Sequence, residues 1–490
     1  MNKYILLVAT ILLSWSLNAQ PTLAPCGTPA EKSPWLIKYQ KSPDQYFKNG
    51  NETIYVPLTV HIVGTDAGTG YFPLWRINNA ICEVNEDFDA SNIRFYVEGD
   101  FNYINNSDFY NHDFDTGFRM MQENNVNNTL NTYIVENPAG ACGYAYLDGF
   151  GVALAKGCTG ENDNTFAHEL GHALSLPHPF VGWEGTDGDY SVPAPESLEN
   201  GALVEKMDGS NCESAGDGFC DTPPDYLNYR WGCNDDGVST RFQYDPDSVR
   251  FQSDGTLFMS YSLDQCSNRF SEEQTAAMRA NLLDAQSNLL YNQTPMPAIE
   301  ATELEVVSPI KDDSIAVNEV VLDWEDVPGA TQYYVLIGRT PNFSVVVDRG
   351  LVTESEFTAT AELTPDKKHY WRVFAFNSHE FCAEPLRGTN FFTREATTAL
   401  ENFTADYQIS VAPTVLNSTS EVNINVQTPS AETLTATLYN IAGQAILTQD
   451  LAVFSGQNSR TLNVTDLSTG MYFLNISNGI QQRTFKLVKQ

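Results

Sequence analysis

The chain has 490 residues, of which 42% are apolar, enough for the cores of about three domains. Its 62 aspartates and glutamates outnumber its 27 lysines and arginines, so the formal net charge is −35. A surface this acidic repels nucleic acids and anionic membranes, which excludes both as favoured partners, and it attracts divalent cations.

A secretory signal is predicted at residues 1–19. Lys3 precedes the apolar run YILLVATILLSWSL, and the stretch closes at Asn18 and Ala19, where small residues suit a cleavage site. We place a short pro-segment at 20–53. No later run of about 20 apolar residues predicts a transmembrane segment. We therefore expect a protein that is secreted or located at the outer cell surface.

The patterns of the region that follows predict several strands and a long helix. Apolar and β-branched runs at 54–64, 92–99, 129–136 and 151–156 predict strands. PLWRINNAICEVNEDF at 73–88 predicts an amphipathic helix. These elements lead into the motif that carries the chemistry.

The stretch HELGHALSLPH, from His168 to His178, predicts a catalytic zinc site. On a helix, His168 and His172 lie four residues apart on one face, so both rings can reach one ion. Pro177 ends the helix, and the turn that follows brings His178 back as the third ligand. Three neutral imidazoles leave one tetrahedral position for a water molecule, whose proton Glu169 can accept as general base.

A second motif lies downstream. In GTLFMSYSLDQC (255–266), Met259 and Tyr261 resemble the methionine turn and the tyrosine that follows it in several metzincin families. The resemblance implies that Met259 forms an apolar floor beneath the three histidines. It also implies that the Tyr261 hydroxyl donates a hydrogen bond to the oxyanion of the tetrahedral intermediate. The alternative is a core methionine and a surface tyrosine in an ordinary turn. Both are therefore candidate functional residues.

These motifs resemble those of the metzincin metallopeptidases, in which HExxHxxGxxH is followed by a methionine-containing turn. Ser175 replaces the signature glycine, and a left-handed backbone there costs about 1 kcal/mol or somewhat more. Segments at 208–226, 231–233 and 266–282 are similar to the pappalysin-type branch, and the similarity spans 54–288. It implies an α+β metzincin catalytic domain, a mixed sheet with an active-site helix, that acts as a zinc metalloendopeptidase.

The chain has nine cysteines, which in a secreted protein indicate disulfides, and an odd total leaves at least one without a partner in the molecule. The resemblance implies a bridge between Cys233 and Cys266. Cys26, in PCGTP at 25–29, resembles a cysteine-switch peptide, whose thiolate would fill the open position of the zinc until proteolysis removes it. The alternative is a structural disulfide between Cys26 and the catalytic domain. Seven cysteines lie in the catalytic region: Cys82, Cys142, Cys158, Cys212, Cys220, Cys233 and Cys266.

A calcium site is a further expectation. A glycine-containing loop carries four aspartates whose carboxylates, with backbone carbonyls, would suit calcium. The resemblance favours calcium, and the alternative is a solvated acidic loop. The four are Asp208, Asp217, Asp221 and Asp225.

Two all-β, sandwich-like domains are predicted after a proline-containing linker at 289–303. In 304–394, alternating apolar positions and the aromatics Trp324, Tyr334 and Trp371 resemble a fibronectin type III domain. Its role is either substrate or surface adhesion or that of a spacer, and the absence of a binding constellation favours the spacer.

The last segment, 406–490, contains TLTATLYNIAGQAILTQDL and DLSTGMYFLNISNG, with Gly443, Gly470 and Gly479 at turns between short strands. It resembles the C-terminal sorting domain of type IX secretion substrates. The resemblance implies the secretion machinery as a partner. The alternative is a small sandwich domain without a sorting role.

Two functions from different classes follow from these patterns. The first is a secreted zinc endopeptidase that hydrolyses peptide bonds of protein substrates, with Glu169 as general base. The second is a surface adhesin whose zinc site is structural or weakly active. Glu169 favours the first, since a structural zinc site has no need of a carboxylate beside an open coordination position.

Overall fold

The computed structural model describes residues 23–46, 50, 52–186, 188–395, 401–403, 407–416 and 421–490. The predicted signal at 1–19 lies outside the described residues. The chain divides into two compact units, of which the second consists of 314–320, 362–368 and 392–490 and the first of the other residues up to 391. No helix in the described part of the chain is long and apolar enough to cross a membrane.

Helices and strands alternate through the first part of the first unit. Single 3₁₀ turns lie at Pro43–Gln45, Asp89–Ser91, Lys156–Cys158 and Ser287–Leu289. The longer elements are α1 (Pro34–Gln40), β1 (Ile54–Gly64), α2 (Leu74–Asp87), β2 (Ile93–Val97), β3 (Asn102–Asn105), α3 (Ser107–Tyr110), β4 (Asn111–His112), α4 (Phe114–Asn124), β5 (Leu130–Val135), β6 (Asn137–Pro138), β7 (Gly143–Ala145), β8 (Val152–Ala155), α5 (Thr165–Ala173), β9 (Gln243–Tyr244), β10 (Arg250–Phe251) and α6 (Glu272–Leu283).

The main sheet of this region is mixed, as predicted. Its strands lie in the order β2-β1-β5-β8-β7, and β3 pairs with the second half of β1. All of these pairs are parallel except β7 with β8, so β7 is an antiparallel edge strand. Every residue of β1 except Tyr55 is buried, as expected for a strand covered on both faces. Helix α5, which carries the predicted zinc motif, packs against β7 and β8.

Part of the predicted pro-segment packs into the core of the first unit. Ser33 caps α1 by accepting a hydrogen bond of 3.0 Å from the Leu36 amide. Leu36 is completely buried and Tyr39 is 7% exposed, and both belong to the main hydrophobic cluster with residues of α5 and α6. Trp35 stacks on Tyr39 with ring centroids 5.2 Å apart. Helix α1 is therefore docked into the fold, which the sequence patterns did not predict.

The β-rich region that follows contains two sheets. One consists of β11, β13 and β16, and another includes β18, β17, β14 and β15. Trp324 and Trp371 are buried, with ring centroids 5.9 Å apart. Tyr334, which the sequence grouped with them, lies instead in a separate cluster with Trp75 of α2. The strands are β11 (Val306–Ser308), β12 (Asp313–Ala316), β13 (Val321–Trp324), β14 (Gln332–Gly338), β15 (Val346–Val352), β16 (Glu356–Thr358), β17 (Lys368–Phe376) and β18 (Leu386–Arg394).

This β region is linked to the preceding α/β region within the first unit. A disulfide joins Cys82 of α2 to Cys382. Phe381, next to that cysteine, is 3% exposed and belongs to the main hydrophobic cluster. The Val97 amide also donates to the Ser378 carbonyl at 2.9 Å. These contacts make the loop before β18 part of the core of the α/β region.

Four disulfides form in the structure, and they leave one cysteine free. The Cys233–Cys266 bridge agrees with the pairing that the resemblance implied. Cys26 is the free thiol, so the alternative of a structural disulfide at Cys26 is not realised in this structure. The other bridges are Cys82–Cys382, Cys142–Cys158 and Cys212–Cys220.

The second unit contains the predicted C-terminal all-β domain. Strands β19, β27, β26, β23 and β24 form one sheet, to which β21 adds, and β20, β22 and β25 form another. Residues of β22 alternate between exposed and buried over its whole length, and both sheets contribute to one apolar core. The strands are β19 (Glu401–Asn402), β20 (Gln408–Ala412), β21 (Val415–Leu416), β22 (Glu421–Thr428), β23 (Glu432–Asn440), β24 (Ala445–Val453), β25 (Gly456–Asn463), β26 (Gly470–Ser477) and β27 (Gln481–Lys489).

Candidate metal centre

The turn after α5 brings the third histidine back toward the helix. Helix α5 ends at Ala173, and Ser175 has a φ of 76°, the left-handed conformation expected where the signature has glycine. The strain is offset because the Ser175 hydroxyl donates to the Leu147 carbonyl at 2.8 Å and accepts from the Asn281 amide at 3.1 Å. Glycine could make neither bond, which explains physically why serine is tolerated here.

Three imidazole nitrogens converge at this point. The Nε2 atoms of His168, His172 and His178 lie 3.1 to 3.3 Å apart, and the rings are at most 7% exposed. Each Nδ1 faces an oxygen acceptor: the Phe258 carbonyl at 2.7 Å, the Leu176 carbonyl at 2.7 Å and the Glu184 carboxylate at 3.0 Å, respectively.

These contacts determine which nitrogen carries the proton. A proton on each Nδ1 leaves three Nε2 lone pairs directed at one another, which is repulsive unless a cation lies between them. Burial also lowers the pKa of His168 to about 3, so its ring stays neutral. This donor set fits a zinc ion, which prefers neutral imidazole nitrogens in a compact arrangement.

Glu169 lies beside the histidines with one oxygen unoccupied. It is completely buried, and burial raises the pKa of its carboxyl to about 8. Oε2 accepts a hydrogen bond from the Thr28 hydroxyl at 3.1 Å, while Oε1 has no partner. A Cβ on Gly143 would lie 2.7 Å from Glu169 Cγ, so β7 can approach the carboxylate only with glycine there. Sequence reasoning missed Gly143 because the constraint is between distant residues.

The predicted methionine and tyrosine both reach the centre. Met259 is completely buried. Its sulfur packs closely against Gly171 of α5, where a Cβ would lie only 2.5 Å from it. The Tyr261 ring centroid is 4.9 Å from that of His178. Its hydroxyl donates to the Cys26 carbonyl at 3.4 Å. The turn therefore supplies an apolar surface under the helix and a hydroxyl donor in the cleft.

Residues 24–28 occupy the cleft. The Cys26 sulfur is 3.6 Å from His172 Nε2 and forms one four-residue group of possible ligands with the three histidines. The Gly27 amide donates to the Gly143 carbonyl at 2.8 Å, and the Ala145 amide donates to the Thr28 hydroxyl at 2.9 Å. This segment thus pairs with the exposed edge of β7 beside the metal centre.

The four candidate calcium aspartates are not brought together. Asp208 is exposed, Asp221 bonds to the start of α6, and the buried Asp225 is fully hydrogen-bonded. No three of the four present converging ligand atoms in the described part of the chain. Asp217 is buried with Oδ2 unpartnered, and it lies close enough to the buried Glu205 for the two charges to interact. Glu205, which carries no sequence signal, was missed.

Glu184 is a third residue that the sequence analysis did not predict. It accepts from His178 Nδ1 at 3.0 Å with one oxygen and from the Gly182 amide at 2.7 Å with the other. Such a carboxylate fixes the ring orientation and the tautomer of a metal-binding histidine. The only sequence signal is an acid shortly after the motif, which is too common to be informative.

Comparisons with known proteins relate this chain to one sorting-domain family and to two extracellular metalloproteases. Residues 418–490 match the secretion system C-terminal sorting domain family. The chain is 28% identical over 171 residues to an extracellular metalloprotease of Neurospora crassa, covering 30% of this chain and 60% of that protein. A Pyricularia oryzae extracellular metalloprotease is 28% identical over 166 residues, covering 30% of this chain and 58% of its own length. The chain thus spans less than two thirds of these relatives.

The C-terminal segment is therefore a sorting domain, and the protein is secreted or located at the cell surface.

Among solved structures, the FN1–FN3 domains of chicken CNTN1 are 17% identical, covering 38% of this chain and 66% of that chain with a TM-score of 0.20. A Listeria innocua β-glucosidase is 12% identical, covering 17% and 16% with a TM-score of 0.14. Likenesses this weak assign no fold to the β region at 304–394.

Proposed function

We propose that the protein is a secreted zinc-dependent endopeptidase of the metzincin type that hydrolyses peptide bonds of protein substrates. The observation that carries this proposal is the convergence of three Nε2 lone pairs beside a buried carboxylate with a free oxygen. The two extracellular metalloproteases to which the chain is similar support the same reaction class.

The residues of the cleft divide the chemistry between them. Zinc, when bound by His168, His172 and His178, would polarise the scissile carbonyl and lower the pKa of water. Glu169 accepts a proton from the attacking water as the carbon–oxygen bond forms, and it returns that proton to the amine nitrogen as the carbon–nitrogen bond breaks. The Tyr261 hydroxyl donates to the carbonyl oxygen as negative charge develops there.

The position of the pro-segment supports this assignment of roles. The Cys26 carbonyl accepts from the Tyr261 hydroxyl, which is the contact proposed for a substrate carbonyl. Residues 24–28 also form backbone hydrogen bonds along the edge of β7, where a substrate backbone would bind. The segment therefore occupies the positions proposed for substrate.

The same contacts support latency of the full chain. The Cys26 sulfur would complete a four-ligand set with the three histidines and exclude water. The Thr28 hydroxyl meanwhile occupies one oxygen of Glu169. Proteolytic removal of this segment would free both the coordination position and the general base.

A calcium ion is the second proposed cation. In the buried pair Asp217 and Glu205, Asp217 Oδ2 has no hydrogen-bond partner, and Lys32 of the pro-segment lies close enough for its charge to interact with both carboxylates. Once the pro-segment leaves, the pair would need another cation. Calcium should then raise the melting temperature of the processed protein, and Asp217→Asn should abolish that increase.

A closed structural zinc site is the competing proposal, as in an adhesin. It is favoured by one observation, namely that Cys26 and the three histidines already make four donors. The two proposals differ after the pro-segment is removed, because only the endopeptidase then gains activity.

The deciding experiment compares the processed protein with its Glu169→Ala variant on a casein substrate, with and without a chelator. We expect Glu169→Ala to retain its zinc and lose at least about 100-fold in kcat, the usual contribution of a general base. Glu213→Ala, at an exposed position, is the matched control and should keep full activity. Activity that survives in Glu169→Ala would refute the mechanism. Zinc binding without activity in the unmodified protein would favour the structural site.

A further inference from the structure

The turn at 258–261 carries two groups that the metal centre uses. The Phe258 carbonyl accepts the His168 Nδ1 proton at 2.7 Å and so determines where that ring points. The Tyr261 hydroxyl, three residues later, lies at the cleft. The turn is neither helix nor strand, but backbone hydrogen bonds hold its two ends. The Phe258 amide donates to the Arg269 carbonyl at 2.9 Å, and the Tyr261 carbonyl accepts from the Trp231 amide at 3.2 Å. Between these ends, a side-chain contact adds to the support of the turn.

Asp225 is buried beneath this turn and bonds directly to it. The carboxylate is 3% exposed, and its Oδ2 accepts from the Ser260 hydroxyl at 2.7 Å. Its Oδ1 accepts from the Ser253 hydroxyl at 2.6 Å and from the Leu227 amide at 3.0 Å. Burial raises the pKa of the Asp225 carboxyl, and the three donors around it counteract part of that rise. Hydrogen bonds to a carboxylate are short and strong.

Ser260 is the link between this carboxylate and the site. It lies between Met259 and Tyr261, is 4% exposed, and donates its hydroxyl hydrogen bond to Asp225. A shift of Ser260 would move Tyr261 on one side and, through Met259, the Phe258 carbonyl on the other. The Ser260–Asp225 hydrogen bond therefore influences the positions of both His168, a candidate metal ligand, and Tyr261, the proposed oxyanion donor.

We propose that Asp225 is a positioning residue of this site: through the Ser260 hydroxyl it fixes the turn that aims His168 and Tyr261. The proposal rests on the proposed endopeptidase function and deepens it. Asp225 itself touches neither metal nor substrate. It acts by limiting the movement of groups that do, where displacements of about 1 Å are enough to reduce catalysis about 100-fold.

The test uses the protein after removal of the pro-segment, four single variants and the Asp225→Asn, Ser260→Ala double variant. Asp225→Asn keeps the shape but replaces an acceptor by a donor, and Ser260→Ala removes the hydroxyl. Ser260→Thr keeps the hydroxyl and is the rescue variant. Ser253→Ala is the matched control, because it removes a hydrogen bond to the same carboxylate outside the turn. The measurements are kcat and KM on a peptide substrate, zinc affinity by competition with a chelating dye, and thermal unfolding.

We expect Asp225→Asn and Ser260→Ala each to lower kcat about 10- to 100-fold at unchanged KM and to weaken zinc binding about tenfold. The double variant should lose no more than either single one, because both remove the same contact. Ser260→Thr should restore activity, and Ser253→Ala should keep it while losing thermal stability.

Equal losses of kcat in Ser253→Ala and Ser260→Ala would overturn the proposal, since they would indicate a structural role alone. A folded Asp225→Asn protein with unchanged kcat and zinc affinity would do so as well. If Asp225→Asn does not fold, Ser260→Ala and Ser260→Thr decide the question. If the unmodified processed protein has no activity, the proposed function fails, and the zinc affinities still test the positioning of His168 independently.

Discussion

Docking of the pro-segment should depend on one completely buried leucine. Leu36 of α1 is 0% exposed in the main hydrophobic cluster, whereas its neighbour Ile37 is 44% exposed. Helix α1 begins at Pro34, and the five residues 29–33 connect it to residues 24–28, which occupy the cleft. Loosening α1 should therefore also loosen Cys26 at the metal centre.

The size of the effect follows from the burial of Leu36. Leucine-to-alanine changes at fully buried positions cost about 2–5 kcal/mol. The Leu36 side chain packs between α1 and the rest of the unit, so Leu36→Ala should weaken the docking of α1 by this amount of free energy. Since about 1.4 kcal/mol is a factor of ten, the undocked fraction should rise by roughly 30-fold to several thousandfold.

Alkylation of Cys26 measures this fraction directly, because the other eight cysteines are in disulfides. The full chain carrying Glu169→Gln is used, so that it cannot process itself while the amide oxygen still accepts from Thr28. We expect Leu36→Ala to speed alkylation at least about 30-fold and Ile37→Ala to leave the rate unchanged. A folded Leu36→Ala protein alkylated at the original rate would refute the reasoning.

Two further predictions concern carboxylates. Glu184→Gln removes the carboxylate that faces His178 Nδ1. Zinc affinity, measured by competition with a chelating dye, should therefore fall about 10- to 100-fold. An unchanged affinity would count against the role of Glu184. Burial, and then neighbouring acids of α2, raise the pKa of Asp87 from 3.8 to about 7. This folded-state pKa lies above the unfolded one, so Asp87 destabilises the fold increasingly as pH rises from about 4 to about 7. Asp87→Asn should raise the free energy of urea unfolding at pH 8 and not at pH 4, and equal effects at both would contradict this.

The elements around the metal centre were predictable because their signals are local. The strand predicted at 54–64 is β1 with the same bounds, and the helix predicted at 73–88 is α2 with one residue fewer at each end. The three histidines span 11 residues of sequence, so helix periodicity and one proline were enough to bring them together. Met259 and Tyr261 needed the family resemblance as well, because their distance from the motif in sequence is large.

The supports of the site could not be predicted, because each is a contact between residues far apart in sequence. Gly143 matters only because the Glu169 side chain passes over it. Asp225 is important only because the Ser260 hydroxyl donates a hydrogen bond to it. No sequence motif distinguishes this aspartate from the other aspartates of the loop. The Cys82–Cys382 bridge spans 300 residues, and with nine cysteines no spacing rule selects it.

The same supports bear on how the protein would be activated. The acceptors that orient the three imidazoles are the Phe258 carbonyl, the Leu176 carbonyl and Glu184, and none of them belongs to residues 23–46. Removal of the pro-segment therefore takes away the Cys26 sulfur and the Thr28 hydroxyl but leaves every Nδ1 contact in place. In the proposed activation by proteolysis, the three imidazoles are already oriented before the cut, so activation would require the cleft to be emptied and would not require the metal centre to be rebuilt.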